Sequence, residues 1–197
     1  MCKEKHFRSK VKILLIDFYD SFTYNLAHYL EPLCDQVHVI RDNEIKMENL
    51  YQYDKIILSP GPGLPERSQS MKMILVNFSG KIPILGVCLG MQGIVQFLGG
   101  KLSQKEVILH GKPVKLLVEK QSLLFAEMPK QFFVGLYHSW EVVVPINQQY
   151  LITAFDEHGV IMAIEDTERK LFGVQFHPES ILTEYGRKIL DNFCKRA

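Results

Sequence analysis

One stretch decides the fold of this chain: Gly86-Val87-Cys88-Leu89-Gly90-Met91-Gln92-Gly93. The apolar run Ile82–Leu85 before it predicts a short buried strand, and Ile94–Leu98 after it predicts a helix that ends at Gly99-Gly100. A strand that enters a helix through Gly-x-Cys-x-Gly predicts a nucleophile elbow, because the small glycines allow a sharp turn that projects the middle side chain.

Cys88 has two interpretations at this turn. The aligned dipoles and free N–H groups of a helix N-terminus stabilise an anion, which favours a reactive thiolate. The same N–H groups are able to hold the oxyanion that forms when a thiolate attacks a carbonyl. Alternatively, Cys88 is a small buried apolar residue, as free cysteines commonly are. A base elsewhere in the chain must decide between the two.

Strand and helix patterns alternate through the first half of the chain, which predicts an open, mostly parallel sheet flanked by helices. Ligands of such sheets bind at the carboxyl ends of the strands. The second half predicts strands with hairpin links, and so an antiparallel addition. The predicted strands are 11–16, 36–40, 55–58, 82–85, 114–118, 132–134, 141–144, 150–155, 160–164 and 172–176, and the predicted helices run from Asp20-Ser21 to about Leu33, over 70–78, over 94–98 and over 183–194.

Composition restricts the classes of function. A net charge of +1 over 197 residues gives no electrostatic reason to expect nucleic acid or a membrane surface as a partner. The four cysteines are widely spaced, which favours free thiols in a reducing cytoplasm. No apolar segment fits a signal peptide or a membrane span. We expect residues 1–10 to form a solvated lead-in and residues 11–197 to form a single domain.

A candidate base follows a second apolar strand, in Gly173-Val174-Gln175-Phe176-His177-Pro178-Glu179. His177 would accept the thiol proton and later donate it to a leaving nitrogen, while Glu179 would fix the orientation and tautomer of the ring. The alternative is a structural histidine beside a surface glutamate. His110 and His138 compete for the role, but neither carries a carboxylate at similar spacing. No cluster has convincing metal-ligand spacing, so we expect no metal and no cofactor.

A glycine-rich loop follows the strand at 55–58, with the sequence Ser59-Pro60-Gly61-Pro62-Gly63. It is either turn punctuation or part of the site. In sequence order its strand precedes the Cys88 strand. A backbone N–H from Gly61 or Gly63, together with that of Leu89, could form a two-donor oxyanion hole.

Taken together, the Cys88 elbow, the Pro-Gly-Pro-Gly loop and the Gln-Phe-His-Pro-Glu-Ser segment resemble the class I (triad) glutamine amidotransferases. The stretch Asp17-Phe18-Tyr19-Asp20-Ser21-Phe22-Thr23-Tyr24-Asn25-Leu26 is similar to the opening of one subgroup, the small subunits (component II) of anthranilate synthase and aminodeoxychorismate synthase. His110-Gly111-Lys112 and Tyr137-His138-Ser139 point to the same subgroup. The resemblance covers nearly everything from Lys12 onward.

The resemblance implies a role for each matching position. Cys88 would be the nucleophile, His177 the general acid and base, and Glu179 its orienting partner. The oxyanion donors would be Gly61 and Leu89. The positions that match the glutamine-binding residues of the family are Gln92, Ser139 and Trp140, the last two through backbone groups. Members of the subgroup hydrolyse glutamine and pass ammonia to a larger subunit that aminates chorismate, so we expect both glutamine and such a partner.

The sequence departs from the subgroup at several positions outside the predicted triad. Met91 stands where many relatives have histidine, and Leu136 and Trp140 stand where arginine and leucine are usual. The segment Leu64–Ser70 lacks the Asp-Ala-Gly type of sequence common in relatives. These departures concern substrate fit and partner docking. They leave the reaction class unchanged.

Two other functions fit the same patterns. The chain could be the glutaminase subunit of a different amidotransferase, serving guanylate or carbamoyl phosphate synthesis, although the stretch from Asp17 to Leu26 favours the chorismate subgroup. It could instead be a regulatory subunit of the same fold without glutamine hydrolysis, which an intact Cys88, His177 and Glu179 argue against. The sequence leaves the aromatic product, anthranilate or 4-amino-4-deoxychorismate, undetermined.

Overall fold

The computed structural model describes residues 11–104, 111–145 and 148–197. The predicted lead-in at 1–10 and the candidate base His110 lie outside these residues. In chain order the strands and helices are β1 (Lys12–Asp17), α1 (Thr23–Leu30), β2 (Gln36–Arg41), β3 (Lys55–Leu58), α2 (Gln69–Phe78), β4 (Ile84–Val87), α3 (Leu89–Phe97), β5 (Lys101–Gln104), β6 (Lys112–Val118), β7 (Gln131–Leu136), β8 (Trp140–Val143), β9 (Leu151–Asp156), β10 (Ile161–Asp166), β11 (Leu171–Val174) and α4 (Gly186–Arg196). Short 3-10 turns cover Asp42–Glu44, Met47–Gln52 and Pro65–Arg67.

The main sheet confirms the predicted fold class. Its nine strands lie in the order β2-β1-β3-β4-β11-β10-β9-β6-β7. Every pairing from β2 to β11 is parallel, and every pairing from β11 to β7 is antiparallel. A second sheet pairs β5 with β8. The carboxyl ends of β1, β3, β4 and β11 therefore lie side by side along one edge.

Helices cover both faces of the parallel strands, which explains why those strands are apolar throughout. Along β1, Ile13 and Leu15 enter the core under α1 and α4, whereas Leu14 and Ile16 enter the core under α2 and α3. All four are fully buried. Each such burial contributes roughly 1.5–3 kcal/mol, so the alternation fixes β1 as a central strand.

Several predicted boundaries were wrong. Helix α1 spans only Thr23–Leu30, because the Asp20 carboxylate accepts the Phe22 N–H at 2.8 Å and holds a turn ahead of the helix. Helix α4 begins at Gly186 rather than near Thr183, since Tyr185 adopts a left-handed conformation with φ of 58°. Strand β4 begins after Pro83, which has no N–H to donate to a ladder. Strand β5 was not predicted.

None of the helices in the described ranges is long and apolar enough to cross a membrane.

Candidate active site

Cys88 occupies a strained turn between β4 and α3. Its φ of 51° and ψ of −102° are unusual for a residue with a side chain, and such conformations cost roughly 1–3 kcal/mol. Two glycines make the turn possible. A Cβ at Gly86 would lie 2.3 Å from the Gly90 carbonyl carbon, and a Cβ at Gly90 would lie 2.4 Å from the Leu58 oxygen. A side chain at either position would therefore force the strand and the helix to move apart.

Pairing of β4 with β11 brings Cys88 to His177. In the parallel register Val87 lies beside Val174, and the Cys88 N–H donates to the Val174 carbonyl at 2.8 Å. The Cys88 side chain and the His177 imidazole lie close enough that the sulfur raises the pKa of the imidazole. Two residues far apart along the chain therefore meet at the carboxyl edge of the sheet.

Glu179 holds the other side of the imidazole. His177 Nδ1 lies 2.7 Å from Glu179 Oε1, and both side chains are buried, which leaves Nε2 for the sulfur. Burial lowers the pKa of His177, but hydrogen bonds and charge from Cys88 and Glu179 outweigh it and raise the pKa from 6.5 to about 10. The geometry therefore favours an imidazolium at neutral pH, with a donor directed at the sulfur.

The backbone of the His177 segment is anchored to β7. The His177 N–H donates to the Gly135 carbonyl at 3.2 Å. The Thr183 hydroxyl donates to the His177 carbonyl at 2.6 Å and accepts the Gly135 N–H at 3.0 Å. These bonds hold the loop that carries both His177 and Glu179. They therefore fix the position of the Glu179 carboxylate relative to the His177 ring.

Aromatic rings around His177 were not predicted as part of the site. The Tyr137 and Phe22 rings contact the imidazole in T-shaped arrangements, with centroid distances of 4.9 and 5.7 Å. The Tyr137 hydroxyl also lies 3.0 Å from Ser180 Oγ. Phe22 comes from the stretch that carried the subgroup resemblance, so part of that stretch restrains the ring of the candidate base.

The glycine-rich loop meets the start of α3 at Gly61. A Cβ there would lie 2.7 Å from both Leu89 Cδ2 and the Phe18 oxygen, so the loop backbone runs directly against the first residue of the helix. The N–H of Leu89, at the first position of α3, has no acceptor four residues back within the helix. Gly63 lies elsewhere: its φ is +83°, and the nearest atoms to a Cβ there belong to Arg67. Of the two glycines, Gly61 is therefore the one that packs against Leu89.

Two of the remaining predicted binding residues, Gln92 and Trp140, belong to a hydrogen-bonded group beside Cys88. Gln92 Nε2 donates to the Trp140 carbonyl at 3.3 Å and to Gln175 Oε1 at 3.2 Å. Gln175 Nε2 in turn lies 3.6 Å from Cys88 Sγ. Ser139 lies between β7 and β8, immediately before Trp140. Gln175 was not predicted as a site residue. The sequence does mark it, because it is a polar amide within a run of apolar residues.

The competing histidine His138 has a different arrangement. Its Nδ1 lies 2.6 Å from the Trp140 carbonyl, and because a carbonyl only accepts, Nδ1 carries the proton.

Among the described residues no group of three or more His, Cys, Asp or Glu side chains could hold a metal ion. Both catalytic candidates are buried, with Cys88 7% and His177 2% exposed.

Comparison with known proteins identifies the family. The sequence profile described as "Glutamine amidotransferase class-I" matches residues 14–197. This chain belongs to the class I glutamine amidotransferases. The resemblance drawn from the motifs is thereby confirmed.

Relatives of this glutamine amidotransferase carry more specific names. It is 40% identical over 187 residues to anthranilate synthase component 2 of Lactococcus lactis, covering 93% of this chain and 94% of that protein. It is 38% identical over 187 residues to a Bacillus subtilis protein named aminodeoxychorismate/anthranilate synthase component 2, covering 93% and 95%. A solved structure from Thermoplasma acidophilum, provisionally named as a GMP synthase subunit, shares the fold, with a TM-score of 0.83 over 94% of this chain and 93% of that chain at 23% identity.

Three of the departures from the subgroup pattern lie in the core of this glutamine amidotransferase or involve its backbone. Met91 is fully buried, and its Cγ lies 2.7 Å from where a Cβ at Gly173 would stand. Leu136 is also fully buried. At Trp140 the carbonyl, which any residue would supply, makes the contact with Gln92. The Met91 and Leu136 side chains therefore contribute to packing.

Proposed function

We propose that this chain is the glutaminase subunit of a chorismate-aminating synthase: it hydrolyses glutamine and delivers ammonia to a larger, chorismate-binding component. The names of the Lactococcus and Bacillus relatives, nearly all of whose length the chain covers, support the chorismate subgroup. The observation that carries the proposal is the buried cluster in which His177 contacts both Cys88 and Glu179.

The charge state of this cluster suits the first half of the reaction. With its pKa raised to about 10, His177 holds a proton at neutral pH beside the Cys88 sulfur, which would react as the thiolate. The thiolate attacks the side-chain amide carbon of glutamine, forming a C–S bond and an oxyanion. His177 then donates its Nε2 proton to the amide nitrogen, the C–N bond breaks, and ammonia leaves.

Water completes the cycle. Neutral His177 accepts a proton from water as the oxygen attacks the glutamyl thioester, and glutamate leaves as the thiolate returns. The N–H groups of Leu89 and Gly61 would hold the oxyanion in both halves, and each such donor typically contributes about 3–4 kcal/mol to the transition state. Gln92 and the backbone at Ser139 and Trp140 would hold the substrate. No step requires a metal or cofactor.

Burial of the nucleophile supports dependence on the partner. Glutamine must reach Cys88, which is only 7% exposed, and loops around such a site commonly move during the catalytic cycle. We therefore propose weak glutaminase activity in the isolated chain and stimulation when the larger component binds. Full activity of the isolated chain would contradict this.

Two alternatives receive less support. The similarity to the Thermoplasma protein concerns the fold, so it does not favour guanylate synthesis. A regulatory subunit without catalysis would have no need for a strained Cys88 in contact with a charged histidine. Cys88 and Cys194 are free thiols, which is compatible with the reducing cytoplasm that the cysteine spacing predicts.

The decisive experiment uses the Cys88→Ala variant together with its natural larger component. We expect glutamine-dependent amination of chorismate to fall to background, while ammonia-dependent amination stays within about twofold of wild type, because the second site still accepts free ammonia. Cys194→Ala, which removes another buried thiol, serves as the matched control and should retain both activities. Equal loss of both activities in Cys88→Ala would contradict the division of labour. Identification of the aromatic amine from the wild-type complex distinguishes the two products.

A further inference from the structure

Gln175 is a fully buried amide whose polar ends both have partners. Its Oε1 accepts from Gln92 Nε2 at 3.2 Å, and its Nε2 lies 3.6 Å from Cys88 Sγ, within the range of a hydrogen bond to sulfur. Its neighbours Val174 and Phe176 are apolar and fully buried. An amide in such a place costs roughly 1–3 kcal/mol unless its groups are paired, so these two contacts account for its presence.

The network fixes which end of the amide faces the sulfur. The Trp140 carbonyl only accepts hydrogen bonds, so the Gln92 atom that contacts it is the nitrogen. The same nitrogen contacts Gln175, which must therefore present its oxygen to Gln92. The NH2 group of Gln175 is thus the group directed at Cys88, and a donor beside sulfur stabilises a thiolate more than a thiol.

We propose that Gln175 stabilises the Cys88 thiolate and couples it to Gln92 at the glutamine-binding position. The proposal rests on the function proposed above. His177 and, through it, Glu179 supply charge beside Cys88, and Gln175 adds a donor without a charge. Its backbone is fixed independently, because the Gln175 N–H donates to the Met162 carbonyl at 2.8 Å.

The arrangement predicts that glutamine binding at Gln92 changes the hydrogen bond that Gln175 donates to Cys88. Gln92 donates both to Gln175 and to the Trp140 carbonyl, so a substrate that displaces either bond alters the polarisation of the Gln175 amide. Through that amide, occupancy of the Gln92 and Trp140 positions would be transmitted to the nucleophile without movement of the backbone.

The test compares Gln175→Met, which keeps the length but removes the donor, with Gln175→Glu, which replaces the donor by a carboxylate oxygen. The measurement is the rate of Cys88 alkylation by iodoacetamide against pH, followed by mass analysis of the Cys88 peptide. We expect the midpoint of the profile to rise by about one pH unit in Gln175→Met, as a hydrogen bond to a charged group implies, and further in Gln175→Glu. Gln131→Met, at an exposed glutamine, should leave the profile unchanged.

The glutaminase assay with the larger component provides the second measurement. We expect kcat/KM for glutamine to fall about tenfold in Gln175→Met at neutral pH, with ammonia-dependent amination unchanged. A wild-type alkylation profile in folded Gln175→Met protein would overturn the proposal, whatever its thermal stability. If both Gln175 variants fail to fold, Gln92→Met supplies the test. It removes the hydrogen bond to Gln175 and should also raise the midpoint of the Cys88 alkylation profile. An unchanged midpoint would overturn the coupling between Gln92 and Cys88. Alkylation needs no glutamine, so it tests Gln175 even if the proposed function fails.

Discussion

The substitution Glu179→Gln removes a buried charge while keeping the shape of the side chain. The wild-type carboxylate lies 2.7 Å from His177 Nδ1, and the two side chains are 0% and 3% exposed. Water therefore screens the interaction very little. We expect the variant to lose most of its imidazolium, because burial continues to lower the pKa of His177 while one of the two groups that raise it is gone.

The size of the effect follows from burial and from the second carboxylate oxygen. General acid–base catalysis by a positioned group typically contributes about 10²–10⁴-fold to the rate, and an amide that still hydrogen-bonds Nδ1 keeps part of the orientation of His177. We therefore expect kcat for glutamine to fall roughly 100-fold, which corresponds to about 2.7 kcal/mol at 1.36 kcal/mol per decade. Glu179 Oε2 is buried without a hydrogen-bond partner among the described residues. An amide nitrogen there would lack an acceptor, so we also expect a loss of about 1–3 kcal/mol in stability.

The assay is glutamate release by the complex with the larger component, measured from acid to alkaline pH. Glu184→Gln is the matched control: it removes an exposed carboxylate five residues further along the same segment, and its activity should stay within about twofold of wild type. Chemical denaturation of both variants separates the loss of stability from the loss of rate. Glutamate release by Glu179→Gln within threefold of wild type would refute the role assigned to this carboxylate.

Two further predictions concern stability. Because folding raises the pKa of His177 from 6.5 to about 10, its contribution to stability is complete below pH 6.5 and is lost as the pH rises through 10. In denaturation experiments the difference in free energy of unfolding between wild type and His177→Gln should therefore shrink across that interval. A difference that stays constant would contradict this. Gly90→Ala should lower the free energy of unfolding by about 1–3 kcal/mol, because its Cβ would lie 2.4 Å from the Leu58 oxygen. Unchanged stability would show that α3 moves away from β3 freely.

Local sequence patterns predict the parallel half of the sheet well, because strands that are buried on both faces must be apolar along their whole length. The predicted strand 55–58 has the same bounds as β3, and a continuous apolar run of that length is hard to place anywhere else. Strand β5 shows the limit. Lys101–Gln104 is short, polar and largely exposed, and its conformation depends on pairing with β8, which no local pattern encodes.

The same distinction explains which site residues the sequence makes visible. Cys88, His177 and Glu179 are reactive residue types at strand ends, so their chemistry draws attention to them before any coordinates exist. Gln175 differs, because its relation to Cys88 arises only when Val87 and Val174 pair across β4 and β11. A buried amide between two apolar residues nevertheless costs free energy unless another polar group hydrogen-bonds it. Its position next to a predicted base places that partner near the site. Searching for such costly polar residues beside a reactive motif would have identified Gln175 as a member of the site, though not the sulfur as its partner.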